Sequence, residues 1–188
     1  MGFQAMSVIA ALTCSTSGST WIGSDTLMCS ATLRQIVGPK WIRHRPWALG
    51  VAGHLRALNL FQYHAAELLG DLSHPFDFAT RARELLKADG FTTEGNGSGG
   101  PIVYGQMLIL ARPGEVWAVA ADFSVMALAP DRLWAEGSGR ELAVGAGHAL
   151  LTAGTDLTAE EVVRRAVDTA ITYETSCGGT AWVDLLAG

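Results

Sequence analysis

The hydrophobic period of this chain changes repeatedly along its length, and the order of these changes constrains the fold most. Apolar, partly β-branched runs come first, namely "SVIAAL", "WIGSD" and "WALGVAG", and turns rich in Ser, Gly and Pro separate them. Such runs indicate strands joined as hairpins. From Leu55 to Leu69 the apolar residues recur at helical spacing. The run "FDFATRARELLKADGF" indicates a second helix, with Asp77 as its N-cap.

The second half of the chain repeats this order. The stretch "GQMLILARPGEVWAVAADF" holds two apolar runs joined by the turn "RPGE", and strands are expected there. Two helices follow in "RELAVGAGHALLTAG" and "TAEEVVRRAVDTAITYE", the second opened by a capping box from Thr158 to Glu161. The run "TAWVDLL" is the last strand. Separate blocks of strands and helices predict an α+β fold, a four-layer α-β-β-α sandwich of two sheets between helix pairs.

The composition fits one domain that binds neither nucleic acid nor membrane. The 188 residues are 49% hydrophobic, which is enough to bury a sizeable core. A net charge of -5 with scattered basic residues offers no surface for a phosphate backbone. No apolar run approaches the roughly 20 residues that span a bilayer, and no secretory signal is evident, so we expect a cytoplasmic protein. The mean hydropathy of +0.24 predicts apolar surface that contacts other copies of the chain.

No cofactor is expected from the motifs. The five histidines lack metal-ligand spacing, and three cysteines are an odd number for a disulfide framework. The loop "GNGSGG" lacks the Gly-Lys-Ser/Thr of a phosphate-binding loop and does not lead into a helix, which favours a flexible loop. A ligand-binding α+β domain that uses this loop stays open as a third function.

Six short motifs carry a resemblance to a known family. They are "SVIAAL", "WIGSD", "PKW", "GVAG", "EGSGRELAVGAGHALL" and "ETSCGG". In this order and spacing the chain resembles proteasome β-type subunits and the bacterial peptidase HslV, which are N-terminal nucleophile hydrolases. The resemblance covers Ser7 to about Leu186. It implies that residues 1–6 are a propeptide or N-terminal extension and that residues 7–188 form a single domain of this type.

The resemblance also implies roles for individual residues. A serine hydroxyl is a weak nucleophile until a base takes its proton, and a free α-amine with a pKa of about 7.7–8.0 can be that base. Ser7 is accordingly the implied nucleophile, activated by its own amine. The other implied catalytic roles are electrostatic support from Asp25 and Lys40, an oxyanion-binding N–H from Gly50, and a hydrogen-bonding set around the amine formed by Ser138, Glu174 and Cys177.

A specificity pocket is implied as well. The positions that resemble the pocket of the family are Met28, Ile42, Ala48 and Ala52, and none of them is charged. We therefore expect substrates with an apolar residue on the acyl side of the cut bond. The expected substrate is a peptide or unfolded protein, the expected assembly is a homo-oligomeric ring, and a separate ATP-dependent unfoldase is an expected partner.

Each implied residue also has an ordinary structural interpretation. Ser7 and Asp25 suit a turn, Lys40 suits the surface, Ser138 suits a helix cap and Cys177 suits a small buried position. The chain also departs from the family at Ser7 in place of threonine, at Glu174 in place of aspartate, at Cys177 in place of serine, and at Met6 in place of glycine. The segment from Lys40 to Gly50 is shorter than usual. A non-catalytic ring or shell subunit therefore stays open beside the peptidase.

Overall fold

The computed structural model describes residues 7–29, 34–93, 102–103, 106–154 and 156–186. Residues 1–6, predicted to be a propeptide or extension, lie outside this part of the chain, as does the "GNGSGG" loop at residues 95–100. In the described part, blocks of strands alternate with blocks of helices, and the α+β class predicted from the sequence is confirmed.

The elements are numbered in chain order. The strands are β1 (Val8–Thr13), β2 (Thr20–Ser24), β3 (Leu27–Cys29), β4 (Arg34–Ile36), β5 (Trp41–His44), β6 (Trp47–Ala52), β7 (Thr92–Thr93), β8 (Ile102–Val103), β9 (Met107–Arg112), β10 (Glu115–Val119), β11 (Val125–Ala127), β12 (Trp134–Gly137) and β13 (Trp182–Leu186). The helices are α1 (Leu55–Tyr63), α2 (Ala65–Leu69), α3 (Pro75–Ala88), α4 (Arg140–Thr152) and α5 (Ala159–Tyr173).

The hairpin β1–β2 forms the centre of an antiparallel four-stranded sheet with the order β12-β1-β2-β13. Val8 at the start of β1 lies opposite Gly137 at the end of β12, and Ile9 lies opposite Ser24 at the end of β2. Because the start of β1 and the ends of β2 and β12 lie side by side at the same end of the sheet, the residues just beyond them meet there. These residues are Ser7, Asp25 and Ser138.

An antiparallel five-stranded sheet has the order β11-β10-β9-β6-β5. β6 lies between β5 and β9, with Gly50 opposite Trp41 on one side and Ile109 on the other. The turn "RPGE" joins β9 to β10, as the sequence predicts. Two short hairpins complete the strands, β3 with β4 and β7 with β8.

Alternation along the strands divides the core into three clusters. On β1, Val8 and Ala10 pack with residues of α4 and α5, whereas Ile9 and Ala11 belong to a cluster that also holds residues of the five-stranded sheet. A third cluster joins the other face of the five-stranded sheet to α1, α2 and α3. Successive strand residues point to opposite faces, so each sheet is buried on both sides.

Helix boundaries differ from the sequence-based expectation at two places. The single helix expected from Leu55 to Leu69 is divided at His64 into α1 and α2. Asp77 is not the N-cap of α3, because Pro75 occupies the first helical position and His74 caps the helix. The Asp77 carboxylate instead accepts the His74 N–H at 3.0 Å. The capping box from Thr158 to Glu161 is confirmed at the start of α5.

No helix in the described ranges is both long and apolar enough to cross a membrane.

Candidate active site

Ser7, Asp25 and Lys40 meet at the end of the four-stranded sheet where β1 begins and β2 ends. Asp25 Oδ1 accepts the Lys40 ammonium at 2.8 Å and the Val8 N–H at 3.0 Å, so the carboxylate lies beside the residue that follows Ser7. The Asp25 N–H in turn donates to the Val8 carbonyl at 3.2 Å. All three residues are buried, with Ser7 3% exposed. The structure therefore brings together the three residues predicted to be nucleophile and electrostatic support.

The backbone around Asp25 holds this ion pair in position. Ser24 Oγ accepts the Lys40 N–H at 2.9 Å, and the Gly178 N–H donates to Asp25 Oδ2 at 3.1 Å. Burial raises the pKa of the Asp25 carboxyl, and the Lys40 ammonium and the N–H donors of Val8 and Gly178 act in the opposite direction. Both carboxylate oxygens are satisfied, which is the requirement for a buried charge.

The segment after β12 passes directly over Ser7. Gly137 has a φ of +103°, and a Cβ there would lie 2.2 Å from the Ser7 carbonyl oxygen, so no other residue fits this turn. The Ser7 N–H donates to Ser138 Oγ at 3.2 Å, and the Gly139 N–H donates to the Ser7 carbonyl at 3.2 Å. Ser138 is therefore the side chain in contact with the nitrogen that would become the terminal amine.

The run "ETSCGG" reaches the site through a different residue from the one expected. Ser138 Oγ lies 2.8 Å from Ser176 Oγ, and the Ser176 hydroxyl donates to Glu174 Oε1 at 2.7 Å. Cys177 Sγ is 3.9 Å from Ser138 Oγ, and the thiol is buried among core residues that pack on α4 and α5. Burial raises the pKa of Cys177 to about 12, so it is a neutral core thiol at physiological pH.

Gly50, predicted to be the oxyanion donor, lies inside β6 between two neighbouring strands, which is a poor position for that role. The Val51 N–H donates to the Lys40 carbonyl on β5. Since backbone N–H groups alternate in direction along a strand, the Gly50 N–H points to β9 and is paired with Ile109. A donor held in the centre of a sheet cannot bind a substrate oxygen.

Gly53, the last residue of the motif "GVAG", is a second candidate for the oxyanion donor that sequence reasoning missed. It follows the last residue of β6 and is exposed. Among the described residues the Gly53 N–H has no acceptor. The end of β6 is next to Ser7, since a Cβ on Gly137 would lie 3.3 Å from Ala52. The sequence does distinguish the two glycines, because Gly50 lies within the apolar run "WALGVAG" and Gly53 is the residue at its end.

The four residues predicted to line a pocket do not share one surface. Ala48 and Ala52 are buried in the cluster between the sheets, together with Ile9. Ile42 points to the opposite face of its sheet and packs into the cluster with α1, α2 and α3. Only Met28, on β3, is half-buried and accessible. The structure therefore does not bring all four residues to one surface, because neighbouring positions on β5 and β6 face opposite sides of the sheet.

A surface concavity of about 460 Å³ lies elsewhere, between β12 and α4. Its lining includes Trp134 and Arg140 but none of the predicted pocket residues. No group of three His, Cys, Asp or Glu side chains suited to a metal ion occurs within the described ranges.

Comparison with solved structures tests the fold directly. BPH from Thiobacillus denitrificans, in a structure with epoxomicin, superposes with a TM-score of 0.74 and 20% sequence identity, covering 96% of this chain and 100% of that one. Eukaryotic HslV from Trypanosoma brucei gives a TM-score of 0.72 and 16% identity, covering 95% and 98%. The chain has an HslV-like fold. No protein-family model matches its sequence, and no curated protein does.

The HslV-like fold confirms the resemblance carried by the six motifs. At 16–20% identity it extends to the fold and not to the chemistry of the individual residues. Ser176 is an example, because its contact with Ser138 depends on the path of the turn after α5 and does not follow from the motif. The run "ETSCGG" contains two hydroxyl residues, and which of them faces Ser138 depends on the path of the backbone.

Proposed function

We propose that this protein is a proteasome-like peptidase subunit that hydrolyses peptide bonds with Ser7 as an N-terminal nucleophile. The observation that carries the proposal is the shared Asp25 oxygen, which accepts both Lys40 and the N–H next to Ser7. A buried ion pair contributes little net stability compared with well-packed apolar residues, so a role for the Lys40 charge in the chemistry supports the proposal. It supplies positive charge where an amine and an oxyanion need it.

The proposed reaction requires that residues 1–6 be absent. An amide nitrogen bonded to Met6 is not a base, whereas the free α-amine of Ser7 accepts the proton of its own hydroxyl. Ser7 Oγ then attacks the substrate carbonyl carbon, and the C–N bond breaks as the amine passes its proton to the leaving nitrogen. Water then attacks the ester carbon while the same amine takes a proton from it; the bond from that carbon to Ser7 Oγ breaks, the amine returns the proton to Oγ, and the acid product leaves.

Two groups assist the reaction in this proposal, one at the oxyanion and one at the amine. The Gly53 N–H binds the oxyanion in place of Gly50, and the Lys40 charge lowers the pKa of the amine so that it is neutral near physiological pH. Removing one oxyanion donor costs about 10²–10³ in rate, so the contribution of the Gly53 N–H is measurable.

The remaining parts of the proposal concern the assembly. We propose a four-layer sandwich, supported by one core cluster between the sheets and one on each outer face. We also propose that subunits close into a cytoplasmic ring that receives unfolded chains from a separate ATP-driven unfoldase. Large apolar side chains on the surface of a single subunit support the ring, among them Tyr63, Tyr173, Phe76 and Trp182. Light scattering that gives only monomer at micromolar concentration would count against this assembly.

One experiment tests the chemistry. The protein is expressed from Met6, so that removal of the initiator methionine exposes Ser7, and the mass of the purified chain verifies the start. We expect turnover of fluorogenic peptides, loss of turnover in Ser7→Ala, normal turnover in Ser15→Ala, and none in the form that retains residues 1–6. If the verified and assembled Ser7 chain neither cleaves peptides nor reacts with electrophilic proteasome inhibitors, the chain is a non-catalytic ring or shell subunit.

A further inference from the structure

Ser138 has two neighbours in the turn after α5, and they differ in chemistry and distance. Ser176 Oγ is 2.8 Å from Ser138 Oγ, a normal hydroxyl hydrogen bond, whereas Cys177 Sγ is 3.9 Å away. A thiol is also a weak donor and acceptor. Cys177 is 2% exposed, and its sulfur would lie 2.9 Å from a Cβ on Gly139, so it fills core space next to the site.

The direction of the hydrogen bonds follows from the carboxylate at the far end. Glu174 Oε1 accepts both the N–H of Ser176 at 3.1 Å and its hydroxyl at 2.7 Å. These bonds lower the pKa of Glu174, so it is an acceptor at neutral pH. The Ser176 proton is committed to Glu174, and the bond to Ser138 therefore needs the Ser138 proton. A Ser138 lone pair is left to face the Ser7 nitrogen at 3.2 Å.

We propose that Ser176 is the positioning residue of this site, linking Glu174 to Ser138 so that the Ser138 hydroxyl presents a lone pair to the Ser7 α-amine. The sequence resemblance gives this place to Cys177. The inference rests on the proposed function, because the amine exists only after residues 1–6 are removed. Glu174 stands where the family has aspartate, and its side chain is longer by one methylene. The hydroxyl that it contacts, on Ser176, is one position earlier in the chain than the serine of the family.

A lone pair aimed at the amine stabilises the ammonium that forms when the amine takes the Ser7 proton. Without Ser176, the Ser138 proton is free to turn elsewhere, including to the Ser7 carbonyl 3.2 Å away. The charged or titratable groups on the elements around Ser7 are Asp25, Lys40, Glu136, Arg140, Glu174 and Cys177. Replacing Ser176 leaves all of them in place, so a change in the titration of the amine reports on Ser176 itself.

The test uses the chain that begins at Ser7 and two readouts. The pKa of the Ser7 α-amine is measured by its labelling with acetic anhydride against pH, read by mass spectrometry, and kcat and KM are measured with a fluorogenic peptide. In Ser176→Ala we expect a lower amine pKa and a kcat about 10-fold to 100-fold lower at unchanged KM. Ser176→Thr restores both, because it keeps the hydroxyl. Thr175→Ala, the exposed neighbour, and Cys177→Ala leave the amine pKa at its original value.

Every outcome decides the proposal. A Ser176→Ala protein with an unchanged amine pKa overturns it, and so does a Cys177→Ala protein that lowers the amine pKa as much as Ser176→Ala. If Ser176→Ala does not fold, Ser176→Gly removes the same hydroxyl and leaves every nearby charge in place, and the same fall in amine pKa is expected. If no form cleaves peptide while the amine pKa still depends on Ser176, the peptidase proposal fails and the positioning role of Ser176 stands.

Discussion

Lys40 Nζ lies 2.8 Å from Asp25 Oδ1, and neither residue is more than 5% exposed. The two charges are therefore paired away from water. Removing one partner of such a pair leaves the other buried without compensation, which costs about 3–5 kcal/mol. Lys40 is thus part of the folded core as well as of the proposed catalytic set. The sequence also allows Lys40 to be a surface lysine, whose replacement would leave the fold unaffected, and the burial of the pair changes that expectation.

We predict that Lys40→Ala abolishes peptide turnover and lowers the free energy of unfolding by about 3–5 kcal/mol. Urea unfolding followed by tryptophan fluorescence measures the stability. The double variant Asp25→Asn with Lys40→Met removes both charges together, so most of the stability returns while turnover does not. A Lys40→Ala protein as stable as the wild type would mean that the pair is solvated. A double variant with wild-type turnover would remove Lys40 from the mechanism.

Gln106 holds the peptide that follows the proposed oxyanion donor. Its Oε1 accepts the His54 N–H at 2.8 Å, and the side chain is 6% exposed. It also occupies the space that a Cβ on Gly53 would need, because that Cβ would lie 1.9 Å from Oε1. We therefore expect Gln106 to fix the backbone on the C-terminal side of Gly53, and with it the orientation of the Gly53 N–H.

We predict that Gln106→Met lowers kcat about tenfold or more at nearly constant KM, since a misaligned oxyanion donor weakens the transition state and not substrate binding. Steady-state kinetics with a peptide substrate measures this split. Gln62→Met, on the exposed surface of α1, is the matched control and is expected to behave as wild type. Equal kcat for Gln106→Met and Gln62→Met would argue that Gly53 is not the donor.

Much of the fold follows from hydrophobic period and capping signals in the sequence. The blocks of strands and helices, the "RPGE" turn and the Thr158 capping box are all local patterns, and each is confirmed. The boundaries that failed depend on longer-range packing. α1 and α2 divide at His64 although the apolar stripe continues, because the stripe does not record where the backbone leaves the helical conformation.

The candidate site follows less completely from sequence. Ser7, Asp25 and Lys40 meet because strand ends align, which the resemblance implies and the registers explain. The choice between Gly50 and Gly53 depends on whether the backbone N–H is paired within the sheet, and residue type does not encode it. The choice between Ser176 and Cys177 depends in the same way on the turn after α5.

Met28 is the accessible member of the four residues predicted to contact the substrate. It lies on β3, three residues after Asp25, and is half-buried. We predict that Met28→Glu raises KM about tenfold for peptides with an apolar residue on the acyl side of the cut, because a carboxylate there loses the apolar contact and must be desolvated. A panel of fluorogenic peptides measures the change.

Met126→Glu is the control for this prediction. Met126 lies on β11, at the sheet edge opposite β5, and is 50% exposed. It is expected to leave KM unchanged. If Met28→Glu also leaves KM unchanged for every peptide in the panel, the substrate does not contact β3, and the apolar preference has no basis in this strand.

Cys14 and Cys177 provide a test of local electrostatics at opposite ends of β1. Hydrogen bonds from Ser17 and Thr16 lower the pKa of the Cys14 thiol to about 7, whereas burial raises the pKa of Cys177 to about 12. Only the thiolate attacks an alkylating reagent. The rate of Cys14 alkylation is therefore expected to rise with pH through about 7 and to level off about one unit above, while Cys177 stays unmodified in the folded protein.

Iodoacetamide labelling followed by peptide mapping measures both rates between pH 5.5 and pH 8.5, a range chosen to bracket about one unit or more on each side of the expected midpoint. Ser17→Ala removes the side-chain hydrogen bond that lowers the pKa of Cys14 most, so the midpoint for Cys14 moves to higher pH. In urea, Cys177 becomes accessible and is labelled at the rate of an ordinary thiol. Labelling of Cys177 in the folded protein as fast as that of Cys14 would show that its thiol is open to solvent. Cys177 would then not be a core residue, and the reason for preferring Ser176 to Cys177 as the partner of Ser138 would be lost.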